Sequence, residues 1–196
     1  MLFRSYSRSI LDVPNRLILA PIVELPFGHG RRWLSEGDLA NALAGGWTVS
    51  AIFDFESGFP VNVGQNGDNT GTFGGEQRPN INTGVDPNTS GNREDRFNGW
   101  INPAAYSLAP AFTFGNAPRT NPDLRTPDRN NIDLVISKDV GIKGTARGQI
   151  RLELLNLTNH VKTNGVEQRL GRSDFGLISS QAGFMRITQL TFRVTF

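Results

Sequence analysis

The strongest constraint on this chain is a period of two. In residues 189–196, Leu190, Phe192, Val194 and Phe196 fall on one side of an extended backbone, and Gln189, Thr191, Arg193 and Thr195 on the other, because successive strand side chains point to opposite faces. Residues 47–56 repeat the rhythm: Trp47, Val49, Ala51, Phe53 and Phe55 alternate with Thr48, Ser50, Asp54 and Glu56, and only Ile52 breaks it. Residues 131–139 and 147–157 alternate similarly around the glycine-flanked turn 141–144, which predicts a hairpin. A less regular run over 16–25 contains Pro21, which lacks the N–H that a central ladder needs. The expectation is all-β, with about five antiparallel strands.

The connections between these strands alternate in length. The first holds a short helix predicted over 34–43, started by Ser35 or Asp38. The second, residues 61–129, reads as one very long loop, because 27 of its 69 residues are Gly, Pro or Asn. Its scattered aromatics, Phe73, Phe97, Trp100 and Phe114, predict that it packs in part. A tight turn follows, then a long connection over 158–186. Short turns at one end of a sheet and long loops at the other are the pattern of outer-membrane barrels.

Composition removes several classes of function. Without cysteine there is no disulfide framework, thiolate metal site or cysteine nucleophile, and His29 and His160 are too few for a histidine cage. Twenty basic against 18 acidic residues make no polybasic nucleic-acid arm. Seventeen of the basic residues are arginine, which favours fixed, paired charges on a structured surface. No stretch approaches twenty apolar residues, so no membrane helix is expected, and the opening residues have no basic-then-apolar leader pattern.

The two strand faces admit two architectures. In a soluble sandwich the apolar face meets a second sheet; in a barrel it meets lipid and the polar face lines an aqueous lumen. The barrel reading makes Asp54, Glu56, Asp133, Asp139, Arg147, Arg151, Glu153 and Arg193 lumen-facing candidates, and Trp47, Phe53, Phe55, Leu134, Leu152 and Phe192 lipid-facing ones. Leu190, Phe192, Val194 and Phe196, alternating to a last aromatic, are similar to the C-terminal assembly signal of outer-membrane barrels. The alternative is a soluble all-β binding module of carbohydrate-binding type, its long loop carrying the ligand.

Several passages then resemble one family. The segment DVPNRLIL from Asp12, ELPFG from Glu24, GGWTVS from Gly45 and SGFP from Ser57 are similar to a "D-x-P-H-R … ELPFG" passage of TonB-dependent outer-membrane receptors of the Oar-like type. FTFGNAPR from Phe112, LRTP from Leu124 and NNIDL from Asn130 with Lys138 resemble that family's "FGNAPR … LRGPG-NNWDLSLFK", and RLELLNLTNH from Arg151 its "RAEFFNLFNH" strand. Asn15 stands where the family has His, and Ile132 where it has Trp.

The resemblance implies the C-terminal strands of a large transmembrane β-barrel in the outer membrane of a Gram-negative bacterium. It also implies a substrate importer whose N-terminal barrel strands, plug and signal peptide are not in this sequence. Its implied partners are outer-membrane lipid, that missing barrel and plug, the barrel-assembly machinery, and the TonB system acting through the missing part. No nucleic acid, cofactor or enzymatic activity is expected.

Weaker signals have plainer readings. Asp68 in NGDNTG offers one carboxylate, too few for calcium. Glu94 and Asp95 are adjacent loop residues, read as solvated rather than as an acid–base pair. His160 shapes a strand exit, and His29 lies in a turn. Residues 141–145 lack phosphate-loop spacing. Arg96, Phe97 and Trp100 are the loop recognition candidates, since an aromatic beside an arginine can stack on a ligand, although packing of the loop against itself is the favoured reading of Trp100.

Overall fold

The alternating segments form strands in the computed structural model, which describes residues 7–28, 30–34, 38–72, 77–142 and 144–196. In chain order these are β1 (Arg16–Leu19), β2 (Ile22–Glu24), helix α1 (Asp38–Ala44), β3 (Trp47–Glu56), β4 (Pro60–Val61), β5 (Gly64–Gln65) and β6 (Asn80–Ile81). Then follow β7 (Tyr106–Ser107), β8 (Asn121–Arg125), β9 (Arg129–Gly141), β10 (Arg147–Leu155), β11 (Arg169–Leu170) and β12 (Ile187–Thr195). Residues 16–25, expected as one strand, divide into β1 and β2 at Ala20 and Pro21. Proline cannot donate there, and its carbonyl accepts from the Ala51 N–H instead.

The chain divides into two compact units. One comprises Arg16–Phe55, Arg129–Val161 and Gly183–Phe196. It is a single sheet of order β1-β3-β9-β10-β12, with β2 also paired to β3. The register is continuous: Arg147 to Leu155 of β10 face Thr195 to Ile187 of β12 and, on the other side, Gly141 onward of β9. Ile142 N–H closes the β9–β10 turn on Ala146 C=O. The Asp139 N–H donates to Gly46 C=O, which sets the end of β9 beside the start of β3. The two long connections, β3 to β9 and β10 to β12, therefore leave the sheet at the end opposite the tight hairpin.

The other unit comprises the chain up to Asn15, Glu56–Asp128 and Lys162–Ala182. Residues 61–129, expected as one long loop that packs in part, carry β4 to β8 and supply much of this unit's core. Short pairs β4–β8, β6–β7 and β5–β11 tie this unit together. Its core joins Val61, Val63, Trp100, Ile101, Ala105, Tyr106, Leu124, Val166, Leu170 and Ile178. Gly and Asn serve packing here: a Cβ on Gly115 would meet the Arg78 carbonyl at 1.9 Å, and Asn116 accepts from the Ile81 N–H at 2.8 Å.

Candidate functional site

The register fixes what each sheet face carries. On β10, Ile150, Leu152 and Leu154 stand opposite Phe192, Leu190 and Thr188 of β12, and opposite Lys138, Ile136 and Leu134 of β9. Directly opposed residues share a face. Lys138 Nζ lies 5.0 Å from the centre of the Trp47 ring, so the Trp47, Phe53 and Phe55 side of β3 belongs to this face. The structure therefore brings Trp47, Phe53, Phe55, Leu134, Leu152 and Phe192 onto one surface. Phe53 and Phe55 stack at 6.4 Å between centroids, and Phe192 is 69% exposed.

The opposite face collects the charges. Arg147, Gln149, Arg151 and Glu153 face Thr195, Arg193, Thr191 and Gln189; Gln149 donates to Asp139 at 2.9 Å. Arg151 pairs with Glu153 at 2.6 Å, and Arg16 of β1 reaches Asp54 of β3 at 3.3 Å. Glu56 follows Asp54 on the same side of β3. Asp133 has a further task, because its Oδ1 accepts the Asn156 N–H at 2.8 Å where β10 ends.

That exit is built from asparagines. Asn156 and Asn159 adopt φ of 51° and 53°, a left-handed conformation that asparagine tolerates better than most residues. The Asn156 amide donates to the carbonyls of His160 and Phe184, and its Oδ1 accepts the His160 N–H. Asn159 Oδ1 accepts the Arg186 N–H ahead of β12. His160 thus sits in a strand-exit turn; His29 lies outside the described residues, as does Ser35.

Lys138 stands with the NNIDL passage of the sequence reading, but its role was not read there. Strand alternation places it on the apolar face between Ile136 and Val140, yet it is only 8% exposed. Its Nζ donates to the carbonyls of Leu43 at 3.1 Å and Gly45 at 2.6 Å, and the Trp47 Nε1–H also reaches Leu43 C=O, at 2.9 Å. The even-numbered position within β9 was the available signal.

Of the two readings of the recognition candidates, packing against the loop itself is the one the structure shows for Trp100. Trp100 is 6% exposed, its Nε1–H bonds the Arg125 carbonyl at 2.6 Å, and the Arg96 guanidinium covers its ring at 4.0 Å. Phe97 packs against the same core. The three form a folded stack, closed because a buried indole needs a partner for its N–H. The aromatics open to solvent in this unit are instead Phe112, 84% exposed, and Phe114. Phe73 lies outside the described residues.

Ionisation in this unit follows local contacts. The Arg125 guanidinium bonded to Asp12 holds that carboxyl below the usual carboxylate range. Burial pushes the Tyr106 phenol up, against the Asn121 amide that donates to it at 2.7 Å. Asp68 Oδ1 accepts from Thr70 N–H and Oγ1, an Asx turn. Among the described residues no cluster of His, Asp and Glu could hold a metal ion.

Comparison with known families gives one match: the family described as an outer membrane beta barrel domain, over residues 2–189. Neither the curated proteins nor the solved structures yield a match.

Proposed function

This chain belongs to the family of outer membrane beta barrel domains, and from that premise we propose that it forms part of the wall of a TonB-dependent importer. Its place is the outer membrane of a Gram-negative bacterium. Trp47, Phe53, Phe55, Leu134, Leu152 and Phe192 meet lipid in this reading. Asp54, Glu56, Asp133, Arg147, Arg151, Glu153 and Arg193 line the aqueous side, and the packed unit of 56–128 and 162–182 supplies outward recognition surface. Lipid, the remaining barrel and plug, the assembly machinery and, through the plug side, the TonB system are its partners. No catalytic step is assigned to it.

One observation carries the wall reading: the distribution of apolar burial is inverted. The buried core comes entirely from the connecting segments, while the sheet leaves Leu190, Phe192, Val194 and Ile150 exposed on one face. Covering such side chains is worth about 1.5–3 kcal/mol each, and lipid is the cover that an outer-membrane family supplies. Import by the TonB route rests on the sequence passages from Asp12 to His160. A soluble binding module is not favoured, because its sheet would be covered by protein.

Fractionated cells of the producing organism, probed with an antibody to residues 187–196, test this. A band well above 21.5 kDa in the outer membrane, with uptake that disappears when TonB is deleted, is the expected result. A soluble band near the mass of this chain would overturn it.

A further inference from the structure

The wall reading, on which this inference rests, accounts for the apolar face but not for the connection over 25–46. A plain turn would stay in water. Here the end of α1 is pinned to the apolar face of β9 instead. The pin is reciprocal. An ammonium on a lipid-facing surface is costly, and the last carbonyls of a helix have no partners within it. Lys138 and the Leu43 and Gly45 carbonyls satisfy each other, with the Trp47 ring beside the ammonium and the Trp47 N–H on the same Leu43 oxygen.

What this placement presents outward has a consistent chemistry. Leu43 is 69% exposed, and Trp33 and Leu34 are about half exposed. The Arg32 guanidinium lies 5.4 Å from the Trp33 ring centre, and Arg31 pairs with Glu24. Tryptophan, leucine and arginine together suit the boundary where acyl chains give way to headgroups: the rings and stems sit in the apolar part, the cations reach phosphate. The end of α1 adjoins the apolar sheet face, since Lys138, which holds the Leu43 and Gly45 carbonyls, stands between Ile136 and Val140 on it.

We propose that the α1 connection is an interfacial anchor, docked on the phospholipid headgroup layer at the hairpin end of the sheet and held there by Lys138. Its occupant is lipid rather than a protein partner, because it extends the face that already meets lipid and offers both apolar and cationic groups.

The absence of cysteine permits a direct test with single-cysteine variants carrying an environment-sensitive fluorophore. The full protein, purified from outer membranes, is reconstituted in phosphatidylethanolamine and phosphatidylglycerol vesicles with nitroxides at the headgroup or mid-chain. Leu43→Cys is compared with Leu152→Cys and with Thr145→Cys at the hairpin tip. The expected result is Leu43 quenched most by the headgroup nitroxide and several-fold less by aqueous iodide than Thr145, with Leu152 quenched most from mid-chain.

A Leu43 label as open to iodide as Thr145, with Leu152 still deep, would sink the anchor and leave the wall reading intact. Iodide access at both Leu43 and Leu152 would sink the wall reading as well. A Leu43 label quenched best from mid-chain would also overturn the anchor, by placing α1 inside the bilayer. Lys138→Met is expected to move the Leu43 label toward water with Leu152 unchanged; an unmoved label would remove the lysine's holding role. Should that variant not assemble, Trp47→Phe reads out the same displacement.

Discussion

A few side chains fix the connecting unit, and Asp12 shows how. Its carboxylate bonds Arg125, whose other nitrogen donates at 2.9 Å to the carbonyls of Asp12 and Gly58. One guanidinium thus ties the N-terminal segment to β8 and to the chain leaving β3. Because the Asp12 carboxyl is held below its ordinary value of 3.8, the tie adds stability above that pH and loses it as pH falls through the lower, folded value. Protease resistance of this unit should therefore be flat from neutral pH down to that region and fall below it. In Asp12→Asn the acid-dependent part should be smaller. Asn156 acts likewise at the strand exit. Asn156→Ala should cost about 2 kcal/mol, through lost buried hydrogen bonds and a left-handed backbone without asparagine. Asn156→Gly should restore only the backbone part, as read from urea-dependent folding into vesicles.

Single elements carry the contrast between the two sheet faces. In β10, Leu152 and Arg151 are neighbours in sequence and opposites in environment. Leu152→Arg should cost about 2–4 kcal/mol of folding into vesicles if it faces the bilayer near its midplane. Arg151→Leu should cost far less, since the Arg151 side chain is 46% exposed in its pair with Glu153 and exposed pairs contribute about 0–1 kcal/mol. Equal costs for the two would count against a one-sided membrane face. Helix α1 is described over Asp38–Ala44, overlapping the expected 34–43. Where that helix lies was not legible: nothing local marks Leu43 C=O as the partner of a lysine 95 residues away.

At the scale of the described chain, the division of labour is between a sheet that leaves Ile150, Leu190, Phe192 and Val194 open and connections that hold the buried core. Leu124, fully buried, belongs to the connections. Leu124→Ala should destabilise that unit by about 2–5 kcal/mol, read as faster proteolysis within 56–128, with the sheet still recovered in the membrane fraction. A loss of membrane recovery in proportion would mean that the core also supports the sheet.

The sequence by itself determined the strands and their two faces. Period-two alternation is local, so Phe192 beside Arg193 already states which side each takes, and Pro21 already argued against a central ladder in 16–25. Only the tertiary structure decided what the intervening segments do. Trp100 was legible as a packed loop aromatic, but its partners were not: Arg125, Arg96 and the core around Val166 and Leu170 close over it. Lys138 stood in the sequence only within a family passage, and its role came with the end of α1 that meets it. Both outcomes depend on contacts between residues far apart in the chain. Those contacts form where two segments meet and satisfy each other's buried N–H, carbonyl and apolar surface, and no short-range pattern encodes such a meeting.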